Sequence, residues 1–368
     1  MPRPLWTTLT PVLAAVLLTA TWGRHPGAVV LGVVAILLIG AVLTAVHHAE
    51  VVAHRVGEPL GSLVLAVAVT VIEVALIVTL MITTDKDTSG LARDTVFAAV
   101  MISINGIVGL SLLVSSLKHH LAVFNPEGTG SALATVVALA TVCLVLPSFT
   151  TSEPGPEYSG PQLAFAAIAS LVLYGLFVFT QTIRHRDFFL PVDRHGANLK
   201  VTDHVDADED GHADPPDNRT TAWSAGLLVV SLVAVVGLAK IESPAIEDGV
   251  AAVGFPNAVV GVVIALLVLL PESIAAVRAA AREKVQVSLN LAFGSAMASI
   301  GLTIPTIAIA SIWLDGPLAL GLDNVQIVLL FITVVVGILT VVPGRAKPLQ
   351  GGVHLVLLAS FIFLTIAP

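Results

Sequence analysis

GEPLGSLVLAVAVTVIEVALIVTLMI, residues 57–82, decides the fold. The run is apolar and long enough to cross a bilayer, since about 20 apolar residues at 1.5 Å each span the hydrocarbon core. Yet it carries Glu73 near its middle. A carboxylate at that depth costs about 2.5–3.5 kcal/mol on the insertion scale, so it belongs in a protein interior or a water-filled cavity. A second run, FPNAVVGVVIALLVLLPESIAAV at residues 255–277, repeats the pattern with Glu272 directly after Pro271.

Working outward, the composition fits these two stretches. Of 368 residues, 56% are hydrophobic and 11% charged, which defines a polytopic membrane protein rather than a soluble domain. The net charge of −8 is concentrated in one loop, and no basic tract points to nucleic acid. Cys143 is the single cysteine, so an intrachain disulfide or cysteine-based metal centre is excluded. The reading is an all-α integral membrane protein of eleven spanning helices: 5–22, 28–46, 60–82, 95–117, 131–147, 161–183, 222–240, 255–277, 285–313, 325–342 and 352–367. The first lacks a small-x-small cleavage site and is read as a retained helix rather than a signal peptide.

Lysine and arginine set the expected orientation. One alternating set of connections holds Arg3, Arg55, Lys118, the 184–219 loop, Arg278, Arg282, Lys284, Arg345 and Lys347. The other holds Arg24, Lys86, Arg93 and Lys240. The richer set is cytoplasmic, which places the N-terminus inside and the C-terminus outside a cell (inner) membrane. The segment 185–221, with Asp203, Asp206, Asp208, Glu209, Asp210, Asp214 and Asp217, reads as an acidic cytoplasmic linker. Within it, Asp206 to Asp217 approximates a calcium-binding loop, although Pro215 and Pro216 interrupt it.

Setting aside 1–27, five helices (28–184) precede the linker and five (222–368) follow it. Five-helix units joined in tandem must enter from opposite sides, the logic of an inverted repeat with its site near the midplane. Glu73 and Glu272 each fall in the second helix of a half. The following helices align, Ser103 with Ser295 and Gly109 with Gly301.

Two facing carboxylates repel unless a proton or cation neutralises them. Calcium takes six to eight oxygens. Glu73, Glu272, the hydroxyls of Thr70, Ser103 and Ser295, the Asn105 amide, water and a carbonyl freed by Pro271 near Leu267 could supply them. Protons compete for the same oxygens, and that competition is the basis of exchange. Glu50, His54 and Glu58 before the first acidic helix, with Asn290, form a candidate proton pathway. Gly294 reads as a helix-packing position.

These residues resemble a family. GEPLGSLVLAVAVTVIEVALI (57–77), RDTVF (93–97), LLPESIAAVRAA (269–280), LNLAFGSAMASIGLTIP (289–305) and the acidic linker together are similar to ChaA-type bacterial calcium/proton antiporters of the cation/calcium exchanger superfamily. The resemblance implies two inverted five-helix repeats, with ion-binding acids at Glu73 and Glu272 and supporting polar residues at Ser103, Asn105 and Ser295. It also implies exchange of calcium, and in some members sodium or potassium, for protons. The first motif here reads VTVIEV, where many relatives carry a glycine–asparagine pair before the glutamate. The expected function is therefore export of Ca2+ in exchange for H+, with no cofactor and with cations and the lipid bilayer as partners. A monovalent-cation/proton antiporter is the nearest alternative and a cation channel the alternative of a different class. Neither H-E-x-x-H nor G-x-S-x-G is present to suggest an enzyme.

Overall fold

The computed structural model describes residues 5–24, 26–57, 60–83, 88–192, 216–313 and 316–368. Glu58 and most of the acidic linker, including the loop that approximates a calcium site, lie outside them. Among the described residues there are eleven long helical elements. They are α1 (Leu5–Thr21), α2 (Ala28–Val56), α3 (Leu60–Thr83), α4 (Leu91–His119), α5 (Pro126–Ser148), α6 (Gly160–Arg184), α7 (Asn218–Ala252), α8 (Ala258–Ala280), α9 (Val285–Ala310), α10 (Asn324–Val341) and α11 (Pro348–Ile366). All but the shorter α1 are long and apolar enough to cross a membrane.

Helix starts follow local chemistry. Asn125 Oδ1 accepts from the Glu127 and Gly128 amides at 2.9 and 3.2 Å, with Pro126 in the first turn of α5. Asp323 and Gln326 cap α10 reciprocally, at 2.8 and 3.1 Å. Between helices, a two-residue antiparallel ribbon pairs β1 (Ala122–Val123) with β2 (Arg345–Ala346). Large apolar side chains such as Ile36, Phe331, Leu339 and Phe363 are exposed, as expected of a surface that lipid covers.

Two helices outrun their apolar stretches. α2 continues past residue 46 through His47, His48, Glu50 and His54, and α7 past Lys240 through Pro244 to Ala252. The polar side chains at which the apolar runs stop are accommodated within the helices. His48 donates from Nε2 to the Thr7 carbonyl at 2.9 Å, and the Lys240 ammonium lies 5.3 Å from the Trp22 ring.

The chain forms two compact units. The first comprises α1, α2, α3, α7 and α8 as far as Pro271; the second comprises α4 from Val96, α5, α6, α8 from Glu272, and α9–α11. Each half of the sequence therefore gives its leading helices to one unit and its trailing helices to the other. In the first unit, Val34, Leu38, Ala41 and Ala45 of α2 pack with Ile72 of α3 and Val235 and Leu238 of α7. Small residues permit the approach: a Cβ on Gly40 would stand 2.7 Å from Thr10 Cγ2, and one on Gly237 2.4 Å from a Leu18 methyl. In the second unit α4 is central, with 89% of its most apolar window buried, against 22% for α6 and 17% for α11.

Candidate functional site

In the first unit, Glu73 is 1% exposed and Thr70 6%. They lie three residues apart, so both fall on the face of α3 that buries Val69, Ile72, Leu76, Ile77 and Leu80. The Thr70 hydroxyl makes no hydrogen bond among the described residues. At the end of α2, Glu50 and His54 are exposed, and Arg55 donates to Asn218 Oδ1 of α7 at 2.6 Å. Glu242 on α7 is a buried acid missed in the sequence: it is 9% exposed, and its Oε2 has no hydrogen-bond partner among the described residues.

In the second unit, Glu272 is 8% exposed. Pro271, expected to free a carbonyl near Leu267, lies inside α8, which runs unbroken from Ala258 to Ala280. A proline removes one backbone donor and need not end a helix held by its neighbours in a membrane.

The helices that follow the two acids, α4 and α9, pack antiparallel. Lys118 near the end of α4 donates to the Ala281 carbonyl before α9, at 2.8 Å. Seven residues back along α4 and seven forward toward α9, Ser288 donates to Ser111 in a short hydrogen bond. Eight further residues in each direction bring Ser103 level with Ala296, next to Ser295. The α4 segment at that level packs on α9. Ser103 is fully buried and its hydroxyl makes no hydrogen bond among the described residues; Ser295 is half-buried.

Both helices widen into π-helical turns, Ile102–Ile107 in α4 and Ser299–Thr303 in α9. Such turns frequently mark functional sites. In α4 the Val108 amide reaches five residues back to the Ser103 carbonyl. Asn105 sits in the same turn but faces elsewhere. Its Nδ2 donates to Thr333 Oγ1 of α10 at 2.9 Å and lies 3.7 Å from Met101 Sδ. Its Oδ1 lies 3.0 Å from His354 Nδ1 of α11. Residues two apart on a helix do not share a face. Ser103 and Asn105, which the sequence groups as joint ion ligands, therefore point apart.

His354 escaped the sequence reading. It is 1% exposed, and its Nε2 lies 3.2 Å from Thr340 Oγ1. Asn290 is also engaged: it accepts from Gln286 at 2.9 Å and donates to the Phe189 carbonyl at 2.7 Å. Gly294 was expected to pack closely, but a Cβ there would meet nothing within 4 Å; Gly301, where a Cβ would lie 2.8 Å from Tyr174 Cβ, is the packed position.

The arrangement is that of a multi-pass membrane protein with ionisable and hydroxyl groups buried within its apolar helices. A family model described as sodium/calcium exchanger protein matches residues 26–183 and 223–367, and the chain belongs to that family, within the cation/calcium exchanger superfamily. It is 42% identical over 368 residues to the protein y4hA of Sinorhizobium fredii, whose name describes an ionic transporter, covering 99% of this chain and 97% of that one. It is 33% identical over 357 residues to the sodium-potassium/proton antiporter ChaA of Escherichia coli, covering 96% and 93%. Among solved structures, native YfkE superposes with a TM-score of 0.72 at 15% identity, covering 99% of both chains. YfkE is described as a Ca2+/H+ antiporter protein.

Proposed function

We propose that the protein is a secondary antiporter that exports a cation in exchange for protons, with calcium as the cargo and Glu73 and Glu272 as the alternating acceptors of cation and proton. The observation that carries this reading is the burial of both carboxylates in otherwise apolar membrane helices, 1% and 8% exposed. Buried acids must be neutralised, by protons or by a cation, and the two occupants exclude each other. Thr70, Ser103 and Ser295 would add hydroxyl oxygens. Asn105 supports the site from behind, because Thr333, Met101 and His354 already engage its amide. The antiparallel register of α4 and α9 supports two inverted five-helix repeats, 28–184 and 222–368. The lysine and arginine distribution supports a cytoplasmic N-terminus and linker, in a bacterial inner membrane.

A specific observation favours a second reading, sodium or potassium as cargo: the 33%-identical relative is named as a sodium-potassium/proton antiporter. Both readings are tested in proteoliposomes with an imposed pH gradient, adding calcium, sodium and potassium separately. Calcium-dependent proton movement supports the first and movement with sodium or potassium alone the second. Cation flux without proton movement points to a channel and overturns both.

A further inference from the structure

We infer that His354 is a positioning residue for the cation site: its Nδ1–H staples the π-helical turn of α4 to α11 through Asn105, and so fixes where Ser103 points. The inference rests on the reading above, in which Ser103 supplies oxygen to the cation.

The hydrogen-bond roles follow from the inventory of donors and acceptors. Met101 Sδ and Thr333 Oγ1 cluster around Asn105 Nδ2, which assigns the amide nitrogen to that side. Asn105 Oδ1 can only accept, so His354 Nδ1 carries the hydrogen at 3.0 Å. In the neutral ring Nε2 then accepts from the Thr340 hydroxyl at 3.2 Å. Asn105, Thr333, Thr340 and His354 are all buried, between 0 and 3% exposed. In a low-dielectric interior such a network is strong when complete and costly when one member is lost.

Backbone contact holds the pair at one level. A Cβ on Gly109 of α4 would lie 3.0 Å from His354 Cβ, and one on Gly351 of α11 2.7 Å from the Leu113 amide nitrogen. The two helices thus touch along their main chains, with little freedom for α11 to swing away. The π turn replaces the regular i→i−4 bonding with i→i−5 bonding, as the Val108 amide on the Ser103 carbonyl shows. Within this turn the Asn105 side chain hydrogen-bonds to two other helices, α10 and α11. Ser103, two residues earlier and on another face, is carried by the same turn, and its hydroxyl is fully buried with no hydrogen bond among the described residues. Releasing the staple frees the turn to rotate and takes the Ser103 oxygen out of place.

Four reconstituted full-length proteins test this: wild type, His354→Leu, which keeps apolar bulk but loses the N–H, His354→Asn, whose amide nitrogen can stand in for Nδ1, and the double variant that adds Ser103→Ala to His354→Leu. The first readout is amide hydrogen exchange in residues 102–107, which does not depend on transport. The second is the cation concentration giving half-maximal proton movement. His354→Leu is expected to speed exchange in that turn and weaken apparent cation affinity about tenfold, with the maximal rate little changed; His354→Asn restores both. Adding Ser103→Ala to His354→Leu should weaken affinity no further. Unchanged exchange in His354→Leu overturns the staple, as does equal acceleration in His354→Asn, which would show that volume and not the hydrogen bond matters. Faster exchange with unchanged affinity overturns the link to the cation. Absence of cation-driven proton movement in wild type defeats the antiporter reading instead, and the exchange measurement still decides the staple.

Discussion

α4 and α9 occupy the same place in the two halves, and each carries a π-helical turn with a neighbour of a different kind. The turn in α4 is tied by directed hydrogen bonds from Asn105 to Thr333 and His354. In the turn of α9, Gly301 leaves no room for a methyl against Tyr174 of α6, where a Cβ would come within 2.8 Å. The first is exposed to loss of polarity at Asn105, the second to gain of volume at Gly301.

The largest expected effects test whether the halves are functionally equivalent. Glu73→Gln and Glu272→Gln should each abolish cation-driven proton movement, while both variants still insert, since removing a membrane-depth charge does not hinder insertion. Transport assays beside membrane-fraction blots check this. If one variant keeps exchanging at a normal rate, the acids are not a pair and the comparison between halves breaks at its functional centre.

Next come the turns themselves. Asn105→Leu strands the His354 N–H and disturbs Thr333, two buried polar groups, and should cost about 2–4 kcal/mol of stability. Gly301→Ala forces a methyl into Tyr174 and should cost about 1–3 kcal/mol. Thermal unfolding in detergent reads both. The comparison sharpens if Asn105→Gln, which keeps the amide, recovers part of the first loss, while Tyr174→Ala relieves the second. Rescue of Gly301→Ala by no change at Tyr174 would show that the α9 turn is held by something else.

Sequence made the helices legible because bilayer-length apolar runs have few other uses. Their true ends were less so. The apolar runs stop before His48 and at Lys240, but the helices do not, because a neighbouring carbonyl and a tryptophan ring receive those groups. The acids stood out as charges in an uncharged run. His354 is polar in an equally uncharged run, α11, and the same reasoning could have flagged it. What the sequence could not convey was which partner an amide had chosen. Ser103 and Asn105 look like neighbours in a list of ligands, but a spacing of two residues on a helix separates them.

The smallest expected effect isolates the packing claim for α9. Gly294 and Gly301 lie seven residues apart on one helix, close to two turns, so a reading from periodicity alone gives them the same face and the same role. Their surroundings differ: a Cβ at 301 meets a tyrosine at 2.8 Å, and a Cβ at 294 meets nothing within 4 Å. Gly294→Ala should therefore change stability by no more than about 0.5 kcal/mol, with the higher helix propensity of alanine tending to stabilise. It lies beside Ser295, so transport separates two explanations for a glycine here. If stability holds and exchange holds, residue 294 is neither packed nor used. If stability holds but exchange falls, the open space beside Gly294 is needed for ion or water passage, and the α9 turn acquires a functional asymmetry to match its structural one.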